Sequence, residues 1–116
     1  MAQRFGPDAR IRHRAEYKAV DAGGRRVAGR FLVLVGKPSD GPRDRMGIIA
    51  SRRVGGAVQR NRAKRRLREV FRRSERKAGE RCLDVVAIAK ADLVRAPFDA
   101  VQSDFLAALL KLRGAR

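Results

Sequence analysis

The chain has 116 residues, and its 29 lysines and arginines against 12 aspartates and glutamates leave a net charge of +17 at neutral pH. This length suits one domain with one modest core, and such a charge indicates a polyanionic partner, with nucleic acid first and an anionic membrane second. No apolar run approaches the roughly 20 residues of a membrane span, and the N-terminal residues lack the apolar region of a secretory signal. We therefore expect a cytoplasmic protein without a membrane partner.

Hydrophobic periodicity predicts an α/β fold in the order α-β-β-α-β-α, a two-layer sandwich that forms a single domain over residues 1–116. One further short strand is compatible with this order. The chain ends, residues 1–12 and 113–116, are expected to be flexible. The predicted helices are 13–22, 57–74 and 97–112, and the predicted strands are 30–36, 45–51 and 82–90.

The connections carry ordinary breaker residues. Gly23 and Gly24 end the first predicted helix, and a loop rich in Pro, Asp and Gly separates the first two strands. If that loop makes a hairpin, these two strands pair antiparallel. The third strand, 82–90, is apolar enough to lie inside the sheet.

The stretch QRNRAKRRLREVFRR, residues 59–73, places eight cations around one acid, Glu69. On a helix, at about 100° per residue, its apolar residues fall within one arc, namely Ala63, Leu67, Val70 and Phe71. Its charged residues form two exposed stripes, with Asn61, Lys64, Arg65, Arg68 and Arg72 on one flank and Arg62, Arg66 and Arg73 on the other. Glu69 is expected opposite the core. A solvated face stitched by ion pairs would need alternating signs, and the arc is not lipid-like, so we predict a helix docked on the sheet with a cationic interaction surface.

The turn before this helix, SRRVGG at residues 51–56, combines two arginines with two glycines that are free to adopt positive φ. Backbone N–H groups in such a turn, ahead of a helix, can bind an anion. The alternative interpretation is a turn that simply ends the strand, and the flanking arginines favour the first.

The ordered set of motifs resembles the protein subunits of bacterial ribonuclease P. The likeness is strongest at SRRVGGAVQRNRAKRRLREVF, and RAEYKAV, RRVAGRFLVLV, RMGIIAS and DVVAIAK follow the family's order over residues 10–112. The resemblance implies a sandwich similar to one domain of a ribosomal protein, with a left-handed βαβ crossover. It also implies a ribonucleoprotein that removes the 5′ leader from precursor tRNA.

In that family the catalytic part is an RNA that uses Mg²⁺, and the protein has no catalytic residue, bound metal, cofactor or small-molecule substrate. The residues that match contacts to the RNA subunit are Arg52, Arg53, Arg60, Asn61, Arg62, Lys64, Arg65, Arg66 and Arg68. The residues that match the leader cleft, on the sheet face beside the N-terminal helix, are Tyr17, Ser51 and Lys90.

The chain departs from the family at two stacking positions. Asp21 stands where many relatives carry an aromatic residue and Val35 where some relatives do, and stacking on aromatics contributes much of the affinity for single strands. Leader binding is therefore expected to be weaker or to depend more on arginine. Tyr17 remains either a base platform or a residue at the rim of the core.

A ribosomal protein, a self-sufficient nuclease and a DNA reader are the competing functions. A structural RNA-binding protein of the ribosome shares the fold and the charge, and it stays the alternative. A self-sufficient nuclease needs clustered carboxylates or a histidine acid/base, but the only histidine is His13 and the acids are scattered. Asp84 is interpreted as a cap or as one partner of a surface ion pair. A DNA reader would show a helix-turn-helix, zinc ligands or a zipper. Cys82, the single cysteine, is interpreted as a packed thiol.

Overall fold

The computed structural model describes residues 23–39, 44–74 and 82–114, which form a four-stranded sheet and two long helices. In chain order the elements are β1 (Arg25–Ala28), β2 (Leu32–Pro38), β3 (Arg45–Ile49), α1 (Ala57–Arg73), β4 (Leu83–Ala89), a 3₁₀ helix (Ala91–Val94) and α2 (Phe98–Gly114). The three predicted strands and the two later helices are confirmed, with ends that differ by one or two residues. β1 is the further short strand. The predicted helix 13–22 and the end 1–12 lie outside the described residues.

The sheet order is β1-β2-β4-β3, with β4 antiparallel to β2 and parallel to β3. The predicted direct pairing of the first two strands, β2 and β3 here, is therefore wrong, because β4 lies between them. The physical reason is the apolar character of β4, in which six of seven residues are buried. A strand that is buried on both faces has to take a central place.

The parallel pair β3 and β4 is joined through α1, which makes this part of the fold a βαβ unit. Parallel strands need such a crossover, because a short turn cannot bring the chain back to its starting edge. The left-handed sense of the crossover stays a prediction.

Both helices pack on one face of the sheet and touch each other, with α1 against β3 and α2 against β1 and β2. The fully buried side chains between the layers include Leu32, Leu34, Met46, Leu67, Val85 and Phe105. Gly36 allows α2 to approach β2, since a Cβ at that position would lie 2.9 Å from Val85 Cγ1 and 3.0 Å from Leu112 Cδ1.

The C-terminal end of α2 is held by an ion pair. Arg113 Nη2 lies 2.5 Å from Asp44 Oδ2, and the other oxygen of Asp44 accepts a hydrogen bond from Leu83 N at 2.7 Å. Residues 113 and 114, which were predicted to belong to a flexible end, thus complete the helix. None of the helices in the described ranges is long and apolar enough to cross a bilayer.

Candidate nucleic-acid interface

The apolar side of α1 is the one that its periodicity predicts. Ala63, Leu67 and Val70 are fully buried and Phe71 is 8% exposed. These four residues dock the helix against β3, the 3₁₀ helix and α2. A rigid support of this kind fixes the directions of the cationic side chains on the other side, which a disordered basic tail cannot do.

The cations in the first two thirds of α1 form the candidate surface. Arg62, Arg65 and Arg68 are exposed and succeed one another at three-residue steps, about 4.5 Å along the axis, beside the exposed Asn61. Arg60 and Lys64 are half-buried on the flank nearer the core. Within the described ranges no carboxylate pairs with Arg62 or Arg65.

The last turn of α1 differs, because Glu69 neutralises part of it. Its carboxylate pairs with Arg72, at 3.0 Å from Nε, and with Arg73, at 2.7 Å from Nε. These hydrogen bonds, first from Arg72 and then from Arg73, lower the pKa of Glu69 from 4.5 to about 2. The guanidinium of Arg73 also lies 5.0 Å from the ring centroid of Phe98 in α2. Arg72 and Arg73 therefore contribute less to the cationic surface than their place in the two stripes suggested.

Arg66 has a structural position. It is half-buried, and its Nη1 donates to Leu93 O at 3.1 Å and to Ala96 O at 2.5 Å, at the end of the 3₁₀ helix. The sequence placed Arg66 on the exposed flank among the RNA contacts. The structure instead directs it at a neighbouring element, since the position borders the buried arc.

The turn at 51–56 leads from β3 into α1. Val54 N donates to Ser51 O and Gly55 N to Arg52 O, and Gly55 has a φ of +138°. The N-cap, Gly56, offers no side chain to the first turn, which also lacks an acidic residue. The free N–H groups of the first turn of α1, and the partial positive charge at the N-terminus of this helix, thus face solvent. Arg52 and Arg53 are exposed beside them, as expected.

Ser51 and Lys90 of the predicted leader cleft lie at one edge of the sheet. They follow β3 and β4, whose parallel register pairs Ile49 with Ile88. Ser51 is exposed, and its Oγ accepts a hydrogen bond from Arg53 N at 3.3 Å. Lys90 is half-buried and its Nζ donates to Gly29 O at 2.6 Å, so it is less available to a ligand than predicted.

The sheet face turned away from both helices carries Val35 and Val86, which are 3% and 4% exposed, with Val33 and Ile88 packed around them. The strand residues that the structure describes on this face include no aromatic side chain, in line with the departure noted at Val35. Tyr17 and Asp21 lie outside the described residues.

The remaining candidates have structural explanations. Asp84 is buried in a two-point ion pair with Arg45, with both N–O distances 3.0 Å. Cys82 is half-buried and free. In the described ranges no group of three or more His, Cys, Asp or Glu side chains could hold a metal ion.

One basic segment was overlooked in the sequence. Arg25 and Arg26 in β1 and Arg30 in the following turn are exposed. The signal was the segment GGRRVAGR, in which three arginines fall within six residues, but it lacks a helical period and did not stand out.

Comparison with known proteins matches this architecture to one family. The family model for ribonuclease P matches residues 5–113. A ribonuclease P protein component from Syntrophomonas wolfei is 34% identical over 89% of this chain and 86% of its own length. The structure of the Staphylococcus aureus RNase P protein is similar with a TM-score of 0.77 and 27% identity, covering 90% of this chain and 97% of that one.

A second Staphylococcus aureus structure, with a TM-score of 0.76 and 27% identity, covers 88% of this chain and 86% of that one. It is described as an RNase P protein mutant with defective mRNA degradation activity. The match spans almost all of the chain, and it includes the basic helix and the sheet on which the helix rests. The chain therefore belongs to the ribonuclease P protein family.

Proposed function

We propose that this protein is the accessory protein component of a bacterial ribonuclease P, the endoribonuclease that removes the 5′ leader from precursor tRNA. It binds the RNA subunit and the leader, while an RNA performs the cleavage with Mg²⁺. The observation that carries this proposal is α1, which presents Arg62, Arg65 and Arg68 in one row from a buried support. The cytoplasmic location stays a prediction.

The RNA subunit is assigned to α1 and the turn before it. A folded RNA offers phosphates at fixed positions, so a rigid row of cations can match them with little loss of side-chain freedom. The contact set is Arg52, Arg53, Arg60, Asn61, Arg62, Lys64, Arg65 and Arg68. Arg66 is left out, because its guanidinium serves the 3₁₀ helix.

The leader is assigned to the edge of the sheet at Ser51 and to the cleft that the family likeness implies beside the predicted N-terminal helix. A single strand can lie along such a surface with fewer charges than a folded RNA requires. Tyr17 is the proposed stacking residue. Its substitution by Ala should weaken binding of precursor tRNA toward the low end of the roughly 1–3 kcal/mol of a base stack, because Asp21 provides no second aromatic.

The test uses the reconstituted complex of protein and RNA subunit. Precursor and mature tRNA are titrated against wild type and Tyr17→Ala, and the variant should lose affinity for the precursor alone. Arg65→Ala and Arg68→Ala should instead weaken assembly with the RNA subunit and raise the Mg²⁺ concentration needed for cleavage. The assignment of surfaces is wrong if Tyr17→Ala weakens both tRNAs equally or if Arg65→Ala affects only the leader.

A structural protein of the ribosome remains the alternative, and one experiment separates the two. The tagged protein is purified from cells and the RNA that accompanies it is sequenced. One RNA of a few hundred nucleotides supports the proposal, whereas whole ribosomal RNAs contradict it.

A further inference from the structure

The turn between β1 and β2 is held from two sides by residues that are distant in sequence. Both carboxylate oxygens of Asp104 in α2 accept hydrogen bonds from the turn, one from Arg30 N at 2.9 Å and one from Phe31 N at 2.8 Å. From the end of β4, Lys90 Nζ donates to Gly29 O at 2.6 Å. The two contacts clamp the turn between a helix and the centre of the sheet.

Other backbone groups of the turn are also paired. Gly29 N donates to Leu32 O at 2.7 Å, and Lys90 N donates to Phe31 O at 2.9 Å. A Cβ at position 29 would lie 2.5 Å from Asp104 Oδ2, so the close approach of the carboxylate requires glycine there. A turn with this many internal partners has little freedom to rearrange.

The side chain that this turn displays is Arg30. It is exposed, and its guanidinium carbon lies 5.3 Å from the ring centroid of Phe31, a cation–π distance that orients the group. In the part of the chain that the structure describes, the Arg30 guanidinium has no carboxylate partner. Asp104 lies beneath the turn, but its two oxygens are occupied by backbone N–H groups. A cation held in this way binds a phosphate at a lower entropic cost than a mobile surface arginine.

The turn also lies at the edge of the sheet where the leader is placed. β2 begins opposite the end of β4, with Leu32 paired to Ala89, and β4 pairs Ile88 with Ile49 of β3. Turn, Lys90 and Ser51 therefore follow one another along this edge. The start of β2 and the end of β3 are two interstrand spacings apart, which amounts to about 10 Å.

We propose that Arg30 binds a phosphate of the single-stranded leader, farther along the strand than the nucleotides at Ser51. This inference rests on the proposed function and extends the leader path to the β1–β2 turn. The leader is favoured over the RNA subunit because the turn lies at the β1 side of the sheet, whereas the cationic row belongs to α1, which packs against β3 at the other side.

The experiment measures binding of precursor tRNAs with a graded series of leader lengths to the reconstituted complex, at several salt concentrations. Arg30→Ala should leave the affinity for mature tRNA and for precursors with the shortest leaders unchanged. It should weaken binding of precursors with longer leaders by about 3- to 10-fold, which is less than the full contribution of a hydrogen bond to a charged group. For the long leaders the slope of log K against log salt should become shallower by about 0.7, the value for one phosphate of a single strand.

Arg25→Ala is the matched control, since Arg25 is an exposed arginine at the other end of β1 and its substitution removes the same charge. It should leave the dependence on leader length unchanged. Equal effects of the two variants, or an effect of Arg30→Ala on assembly with the RNA subunit alone, would overturn the inference. If the wild-type complex does not prefer precursor to mature tRNA, the proposed function fails; if it does and Arg30→Ala has no effect on long leaders, only the Arg30 contact fails.

Discussion

Two adjacent arginines in α1 should respond in opposite ways to substitution by alanine. Arg65 is exposed and its guanidinium has no partner in the described ranges, whereas Arg66 donates two hydrogen bonds to carbonyls at the end of the 3₁₀ helix. We expect Arg65→Ala to weaken RNA binding and to leave folding intact. Arg66→Ala should lower stability and leave RNA binding intact.

The magnitudes follow from these contacts. A hydrogen bond to a charged group contributes about 1.5–3 kcal/mol, so the two bonds of Arg66 would contribute about 3–6 kcal/mol if they were fully buried. Because Arg66 is half-exposed, we expect Arg66→Ala to lower the free energy of unfolding by a smaller amount, about 1–3 kcal/mol. In a domain of this size that corresponds to a loss of about 5–15 °C in Tm. Arg65→Ala should change stability by less than about 0.5 kcal/mol, because it removes no contact within the described protein.

Arg65→Ala should also have a measurable effect on the affinity for the RNA subunit. Loss of one phosphate contact at Arg65 should weaken assembly with the RNA subunit by about tenfold. It should also make the slope of log K against log salt shallower by about 0.9, the value for one phosphate of a duplex. Arg65→Lys keeps the charge and should retain most of that slope.

Thermal unfolding of the isolated protein by circular dichroism and salt-dependent titration of the RNA subunit provide the two readouts. The reasoning is refuted if Arg66→Ala unfolds at the wild-type temperature and changes the salt slope as Arg65→Ala does. In that case Arg66 reaches the RNA, as its place in the sequence motif implied, and the hydrogen bonds to Leu93 and Ala96 contribute little.

Four further predictions concern the turn, the pH dependence, the salt dependence and the chemistry. Gly55→Ala should lower the free energy of unfolding by about 1–3 kcal/mol in denaturant titrations, because Gly55 has a φ of +138° and a Cβ there would lie 2.8 Å from Gln59 Cβ; wild-type stability would contradict this. The lowered pKa of Glu69 stabilises the folded state above pH 4.5, and this contribution is lost as pH falls toward about 2. The difference in Tm between wild type and Glu69→Gln should therefore shrink between these pH values, and a constant difference would contradict the prediction. With about five phosphates engaged, log K for the RNA subunit against log salt should slope at about −3 or more steeply, and a flat dependence would indicate another partner. Protein freed of RNA should cleave no RNA with or without Mg²⁺, and cleavage that Asp84→Asn abolishes would show a nuclease in the protein itself.

The sequence by itself determined the elements whose signal is local. The buried arc of α1, from Ala63 to Phe71, follows from a 3.6-residue period, and the central place of β4 agrees with its nearly continuous apolar run. The order of motifs around RNRAKRR also indicates the family without the structure. The helix and strand signals depend on neighbours within a few residues, so the sequence alone predicts them.

Only the tertiary structure decided which cations are used inside the fold and which remain for a ligand. Arg66 reaches the 3₁₀ helix some 27 to 30 residues later, and Lys90 reaches Gly29, 61 residues earlier. The identity of the strands that flank the central β4 was likewise decided by the fold, since its pairing with β2 and β3 joins segments that no local pattern relates. Arginine and lysine look alike in a sequence whether they face solvent or a backbone carbonyl, because the difference lies in partners that the folded chain brings within hydrogen-bond distance from distant positions.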